Sequence, residues 1–306
     1  YILVEDCLAT FKALARQHRR QFDIPVIGIT GTNGKTTTKE LVAAVLGEKY
    51  NVLFTQGNFN NDVGVPKTLF RLKPEHEIAV IEMGASPPGD IKTHVETEEP
   101  EYGIIINVGK AHLQGFGSFE GVVRTKGELY DFLRSNPSSK VFIDAGNEHL
   151  MRISNGLHLI KYGVGGNDGL SVRGEVVECA PFLHFRWTDG ESWYDVNTHL
   201  IGSYNIYNML AAATIGLHFG ITPQAICHAL SSYEPSNNRS QLTNTAHNHL
   251  IVDAYNANPT SMSAALRNFR DMQVSPKMAI LGDMRELGES SAEEHQKVVD
   301  FLSEAH

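Results

Sequence analysis

Positive charge is scarce in this 306-residue chain: 26 lysines and arginines face 35 aspartates and glutamates, for a formal net charge of -9. That deficit leaves no electrostatic footprint for a nucleic-acid duplex or an anionic membrane, so any phosphate ligand must be held locally. Cysteine is scarcer still. The three present, Cys7, Cys179 and Cys227, are odd in number, widely spaced and never in a CxxC pattern. They exclude a disulfide framework and fit reduced thiols in a cytoplasmic protein. No apolar run approaches the roughly 18–20 residues of a membrane-spanning helix. Residues 1–6, with Glu5 and Asp6 following a short apolar start, lack the basic-then-apolar order of a signal peptide. Hydrophobic content of 42% and charged content of 20% sit near the globular average and rule out disorder, collagen and coiled coil. No internal repeat is visible.

What is present is alternation. A chain of this length predicts two domains of unequal size. Over residues 6–20 the apolar side chains Leu8, Phe11, Leu14 and Ala15 recur at helical spacing, with His18, Arg19 and Arg20 at the end where the helix dipole favours cations. Apolar runs at 25–29, 77–83 and 102–108 are separated by helical patterns at 35–48 and 88–98. Runs that are apolar at successive positions, alternating with helices, predict a doubly wound parallel sheet covered on both faces. Between 157 and 201 the pattern changes to short β-rich runs at 170–178, 181–188 and 191–198, broken by Gly165-Gly166-Asn167-Asp168 and by Asp189-Gly190. These turn signals predict an antiparallel β meander appended to the sheet. Helices over 203–219 and 222–232 close this unit before the turn-rich stretch 234–238. A strand at 249–253, a helix at 259–271, a strand at 277–281 and a helix at 291–303 then begin a second, Rossmann-like α/β domain and carry it half-way.

Gly31-Thr32-Asn33-Gly34-Lys35-Thr36-Thr37 follows an apolar strand and opens a helix, the setting a phosphate-binding P-loop needs. Glycines let backbone N–H groups turn toward phosphate oxygens, the helix N-terminus adds its positive end, Lys35 adds a point charge, and Thr36 offers a hydroxyl to magnesium. The spacing departs from GxxxxGK[ST], which would want glycine where Ile29 stands. The pattern points to ATP with Mg2+. A magnesium site needs a carboxylate at the carboxyl end of a neighbouring strand. Glu82 and Asp253 both qualify, and Glu82 is preferred because its strand belongs to the sheet that carries the P-loop. Beyond the third strand, Gly109-Lys110-Ala111-His112 puts His112 near the topological switch point. One of 14 histidines, it also fits a structural or solvated loop position.

Gly31 to Thr37, Glu82-Met83-Gly84, Gly109-Lys110-Ala111-His112-Leu113 and Thr125-Lys126-Gly127-Glu128 together resemble the central domain of the Mur ligases of peptidoglycan synthesis. Asp253-Ala254-Tyr255-Asn256-Ala257-Asn258-Pro259 and Gly282-Asp283-Met284-Arg285-Glu286-Leu287-Gly288 resemble the opening of that family's C-terminal domain, in the form that uses D-Ala-D-Ala. The resemblance runs from about Val26 to the end and divides the chain. Residues 1–24 are expected to be the tail of an absent N-terminal UDP-binding domain, 25–236 the central ATP-binding P-loop domain, and 237–306 a partial C-terminal ligase domain. Tyr1 in place of Met, and a helical pattern running into His306, give the same expectation of a longer parent.

The resemblance implies a mechanism. ATP phosphorylates the terminal carboxylate of a UDP-N-acetylmuramoyl-tripeptide, and the amine of D-Ala-D-Ala displaces phosphate from the acyl phosphate to form an amide. It makes Lys35, His112 and Lys126 catalytic, with Lys126 as a carbamate that joins Thr36, Glu82 and His112 around the metal. By residue type alone, Lys126 is an ordinary helix lysine. The resemblance extends the nucleotide site from Gly31, Thr32, Asn33, Gly34, Lys35, Thr36 and Thr37 to Asn205 and Asn208, one helical turn apart, and to Arg239, Asp253 and Asn256 when the domains close. Asn205 and Asn208 also fit helix capping. Asn58, Asn60 and Asn61 look like the substrate-facing loop, and equally like a turn-rich connection. The expected protein is a cytoplasmic monomer without nucleic-acid partners or a membrane span. Three other readings stay open: another amide ligase of the superfamily, adding a different amino acid or acting on folyl or cyanophycin-type substrates; a P-loop hydrolase or switch in which Lys126 and His112 are silent; and a chain that binds nucleotide without turnover by itself.

Overall fold

The computed structural model describes residues 3–111, 113–166, 169–235, 239 and 241–304. The chain opens with α1 (Cys7–Arg19), β1 (Val26–Thr30), α2 (Lys35–Gly47), β2 (Val52–Phe54), α3 (Gly64–Leu69), β3 (Ile78–Glu82), α4 (Asp90–Glu98) and β4 (Tyr102–Ile105). It continues through α5 (Leu113–Phe116), α6 (Phe119–Arg134), β5 (Lys140–Asp144), α7 (Glu148–Ile153), β6 (His158–Val164), β7 (Val172–Cys179), β8 (Phe182–Thr188) and β9 (Trp193–Ile201). Then come α8 (Ile206–His218), α9 (Pro223–Ser232), β10 (Gln241–Asn244), β11 (His249–Val252), α10 (Pro259–Asp271) and α11 (Ser291–Glu304). Among the described residues no helix is long and apolar enough to cross a membrane.

Strands β1 and β3 are buried at every position, as strands covered on both faces must be. They belong to a nine-stranded sheet in the order β2-β3-β1-β4-β5-β6-β7-β8-β9. Pairing is parallel from β2 through β7 and antiparallel across β7, β8 and β9. The meander is therefore a continuation of the same sheet. Alternation of side chains along each strand divides the core. Ile27, Ile29, Val80 and Ile104 face α2 and α8, whose Leu41, Val42, Val45, Met209 and Ala213 cover them. Ile105, Val141 and Ile143 face the other way, onto Ile91 and Val95 of α4 and Leu129 and Leu133 of α6. At the sheet edge Leu53, Ala79 and Ile81 pack on α1 and α3 through Ala15, Val65 and Leu69.

β1 lies between β3 and β4, so the loops that follow these three strands open together at the carboxyl edge, where open α/β sheets bind their ligands.

Strands β5 and β6 and helices α3, α5 and α7 also lay outside the sequence reading, and three further departures have physical causes. Strand β2 was not expected, because three residues are too few to show a period. Strand β10 pairs antiparallel with β11 in a separate two-stranded sheet, where a single strand at 249–253 was expected. The strand expected at 277–281 does not form: a strand needs a neighbour to accept its backbone hydrogen bonds, and this run pairs with no described strand. Its Met278 and Ile280 are 78% and 87% exposed.

Glu98, the last residue of α4, is fully buried, with neither carboxyl oxygen hydrogen-bonded. A side chain on Gly28 would meet Glu98 Oε1 at 2.6 Å, which puts the carboxyl inside the core. Arg19 donates to the Glu98 backbone carbonyl at 3.0 Å. Burial pushes the carboxyl well above its usual 4.5, against the opposing pull of Arg19. The folded state thus prefers the proton. The stabilisation from this group is complete below 4.5 and is lost as pH rises from there toward the folded-state value. Glu98→Gln should raise the melting temperature at neutral and alkaline pH, with the gain shrinking to nothing near pH 4. Thermal melts across this range check it, and a Glu98→Gln protein melting lower at pH 8 contradicts it.

Candidate active site

Gly34 caps α2 with φ +78°, and a Cβ there would lie 2.8 Å from Asn208 Oδ1. Both facts demand glycine. Ile29, at the position where the longer P-loop spacing would put a glycine, is a fully buried residue of β1, and the turn begins at Gly31 instead. Lys35 folds back over the loop, donating to the carbonyls of Gly31 at 2.9 Å and Thr32 at 3.1 Å. Burial lowers its pKa; Glu82 opposes that shift and the Arg239 cation adds to it.

Asn107, just past β4, clamps the loop from the side. Its Oδ1 accepts from Asn33 N and its Nδ2 donates to Asn33 O, both at 2.9 Å, while its own carbonyl accepts from Thr32 N at 3.1 Å. Thr32 Oγ1 also accepts from Gly109 N at 2.9 Å.

Glu82 ends β3 and is 1% exposed. Its Oε1 accepts from Asn60 Nδ2 at 2.8 Å and from Thr36 Oγ1 at 3.3 Å, and its backbone N donates to Thr55 Oγ1 at 2.9 Å. Its Oε2 is buried without a hydrogen bond. The Lys39 ammonium lies 3.8 Å from it, beyond hydrogen-bond reach, and a desolvated oxygen without a hydrogen bond is costly. A buried carboxylate whose hydrogen bonds are incomplete, beside a threonine hydroxyl at a helix N-terminus, is a donor set that would fit a magnesium ion. The described residues contain no group of three or more His, Cys, Asp or Glu able to form an all-protein cage.

Lys126 lies on the buried face of α6, 3% exposed, with its ammonium 5.6 Å from the centre of the Phe116 ring. Burial, and then the neighbouring Lys35 cation, hold its pKa well below the usual lysine value. Asn205, at the N-cap position of α8, makes no side-chain capping bond, and Asn208 lies inside the helix. Asn208 Oδ1 accepts from Thr38 Oγ1 at 3.1 Å, its Nδ2 donates to Asn205 Oδ1 at 2.8 Å, and Asn205 Nδ2 donates to Ile201 O at 2.9 Å. Asn208 thus backs the P-loop directly, and Asn205 stands behind it.

The chain beyond α9 folds over this edge. Asn33 and Asn258 exchange side-chain hydrogen bonds, Asn258 Nδ2 to Asn33 Oδ1 at 2.7 Å and the reverse at 3.4 Å. Asn258 also caps α10 in a capping box with Ser261. The Arg239 guanidinium sits 4.0 Å from the centre of the Tyr255 ring. Between the two parts lies a cleft of about 490 Å³, lined among others by Lys35, Asn60, Glu82, Arg239, Asn256 and Asn258. Asn61 lines it too, though its Oδ1 accepts from Val63 N and Gly64 N at the start of α3. Asn58 donates to Tyr255 Oη at 3.1 Å. Asp253 is exposed just past β11 and is not a wall of the cleft. His112 lies outside the described residues.

The family model for the Mur ligase middle domain matches residues 29–216. The chain belongs to the Mur ligase family. A second family model, the glutamate ligase domain of Mur ligases, matches residues 238–306. The UDP-N-acetylmuramoyl-tripeptide–D-alanyl-D-alanine ligase of Bacillus subtilis is 36% identical over 304 residues, covering 99% of this chain and 65% of the relative. The corresponding Escherichia coli ligase is 35% identical over 303 residues, covering 97% and 66%. MurF from Acinetobacter baumannii superposes with a TM-score of 0.91 at 30% identity, covering 99% of this chain and 66% of that one. MurF ligase from Thermotoga maritima, solved in complex with ADP, gives 0.89 at 27% identity, covering 98% and 69%. The chain thus spans just under two thirds of the length of the two sequence relatives.

In this Mur ligase chain, sequence reasoning missed Asn107, Asn258, Lys39 and His94. Asn107 was visible as the one amide in the apolar run 102–108. Asn258 sat inside a quoted motif without a role. His94 reads as one more residue of an amphipathic helix, yet it is buried against the cleft; burial pushes its imidazole below the usual value, with Asp62 and Asp90 opposing. Asn107→Ala removes two side-chain hydrogen bonds from the Asn33 backbone. At roughly 1 kcal/mol each it should cost about 2 kcal/mol of stability. Urea unfolding measures the loss, and hydrogen exchange should find the Asn33 amide unprotected; full protection in the variant contradicts the clamp.

Proposed function

We propose that this chain is the catalytic part of an ATP-dependent amide ligase that joins D-Ala-D-Ala to a UDP-N-acetylmuramoyl-tripeptide in peptidoglycan precursor synthesis. The observation that carries the reading is the convergence of Lys35, Glu82, Arg239 and Asn256 on one cleft, in a chain 36% identical over nearly its whole length to the Bacillus subtilis ligase. In this reading residues 1–24 are a linker, 25–236 the ATP-binding domain and 237–306 part of the domain that closes on it. Three free thiols and the dependence on ATP support a cytoplasmic site of action.

The chemistry requires activation, because a carboxylate is too poor an electrophile to meet an amine. The carboxylate of the tripeptide attacks the γ-phosphorus of ATP and ADP leaves; the amine of D-Ala-D-Ala then attacks the acyl carbon, phosphate leaves, and an amide remains. Charge builds on the transferring phosphoryl group, and the groups that offset it are the ones worth most. In this reading the N-terminus of α2 and the backbone of residues 31–34 receive the phosphates, and Lys35 leaves the carbonyls of Gly31 and Thr32 for them. Thr36 and Glu82 would hold Mg2+, which would supply positive charge to the phosphate oxygens. Arg239 and Asn256 reach the nucleotide from the closing domain and Asp253, outside the cleft, joins them only on further closure, Asn205 and Asn208 support the loop from below, and Asn58, Asn60 and Asn61 face the peptide substrate.

Lys126 has the most unusual assignment. A neutral buried amine adds CO2 and releases a proton to become a carbamate, which turns a cation near Lys35 into an anion able to support the metal. Burial of Lys126 supports this reading, as burial favours the neutral amine that reacts.

Two measurements test the proposal in the full-length protein that carries this chain. Phosphate release from ATP should require both the UDP-N-acetylmuramoyl-tripeptide and D-Ala-D-Ala. Lys126→Ala should lower it about 100-fold or more, in the range lost when a charge-stabilising group is removed, and short carboxylic acids should restore part of the loss. Release indifferent to both substrates and to Lys126 leaves a nucleotide hydrolase. Separately, 13C-bicarbonate should give a carbamate carbon signal in the wild type and none in Lys126→Ala.

A further inference from the structure

Lys39 is the one lysine whose side chain is fully buried among the described ion pairs. It lies one helical turn beyond Lys35 on α2, and it does not line the cleft. Its Nζ donates to the Gly57 carbonyl at 3.2 Å and lies 3.6 Å from Glu40 Oε1 and 3.8 Å from Glu82 Oε2. The Phe54 ring completes the enclosure, its centre 5.9 Å from the ammonium. Glu82 Oε2 is the oxygen left without a hydrogen bond, while Oε1 is taken by Asn60 and Thr36.

A methionine has similar length and would fill the same space without the desolvation that a buried ammonium incurs. The charge therefore has to be explained by its partners. Glu40 is one, but its other oxygen already accepts from Tyr233 Oη at 2.6 Å. Glu82 is the partner with the unmet need. Lys39, which is not a wall of the cleft, stands between it and the carbonyl of Gly57 at the start of the loop that carries Asn60.

We propose that Lys39 is a resident counter-ion for Glu82: it faces the buried carboxylate with positive charge when no metal is bound, and it weakens the hold of Glu82 on a divalent cation when one is. The second half follows from Coulomb's law, since a cation fixed near one carboxylate repels another arriving at it. A positioning residue of this kind keeps the site assembled when no metal is bound. The inference rests on the reading of Glu82 as a metal ligand.

The test uses the full-length protein as wild type, Lys39→Met, Lys39→Arg, Glu82→Gln and the double variant Lys39→Met/Glu82→Gln. Two readouts are needed, neither of them activity: the melting temperature in chelator, and the dissociation constant for Mn2+ alone by water-proton relaxation. Lys39→Met should lower the metal-free melting temperature by about 10 °C, as breaking a buried pair does. The double variant, with both charges gone, should regain most of that loss. Lys39→Met should bind Mn2+ about tenfold tighter than wild type, Lys39→Arg within about twofold of it, and Glu82→Gln should lose most binding. If Glu82→Gln loses Mn2+ and Lys39→Met binds it no tighter than wild type, the counter-ion role is overturned while the metal reading stands. If Glu82→Gln binds Mn2+ like wild type, the metal reading fails and takes this inference with it. Should Lys39→Met not fold, a double variant equally unfolded overturns the pairing, and a folded one supports it.

Discussion

The backbone of Gly34 and the side chain of Asn208 approach so closely that no Cβ fits between them, and the rest of the site is built around that contact. It fixes where α2 begins relative to α8. From there the loop 31–34 can only arch over the end of β1, with Lys35 turned back on its carbonyls. The start of α2 then lies at the carboxyl edge of the sheet, and a helix N-terminus is where an anion is held. Asn107 braces the same arch from the next strand, so three elements hold one short loop. A loop held this firmly requires little reorganisation on meeting a ligand, which is what preorganised electrostatic catalysis needs.

Charge at the carboxyl edge is layered. Lys35 and Arg239 face the cleft, Glu82 forms its wall, and Lys39 and Lys126 are buried. Buried lysines are rare because an ammonium out of water needs a compensating partner. Lys39 has carboxylates near it, whereas Lys126 lies over the Phe116 ring with its pKa pushed down by burial. Two buried lysines in one region thus stand in opposite electrostatic settings, and that contrast is why one is assigned a counter-ion role and the other a chemical modification.

The P-loop was legible in the sequence because everything it needs is local: an apolar strand, glycines, a lysine and a helix within about a dozen residues. Glu82 was legible for a related reason, since the end of an apolar run predicts the end of a strand. The bond between Asn33 and Asn258 joins residues far apart in the chain, and no periodicity announces it. Lys39 reads as a solvated helix lysine until β2 and the loop after it are folded over it. The apolar run 277–281 reads as a strand, yet strand formation depends on a partner that local pattern does not supply.

The alternation of the first strands and helices, the mostly parallel sheet with its meander and the glycine-rich turn between β1 and α2 were determined by the sequence alone, because hydrophobic period and glycine placement act over a few residues; short elements such as β2 and β10 and the fate of 277–281 were not. Tertiary structure decided which polar side chains meet: that Asn208 supports Gly34, that Asn107 clamps Asn33, that Asn60 reaches Glu82, and that a lysine stands behind that carboxylate. Each of these is a contact between chain segments brought together only by packing, and its effect depends on burial. A hydrogen bond or an ion pair that contributes little in water becomes decisive once water is excluded, and a linear sequence does not specify where that exclusion occurs.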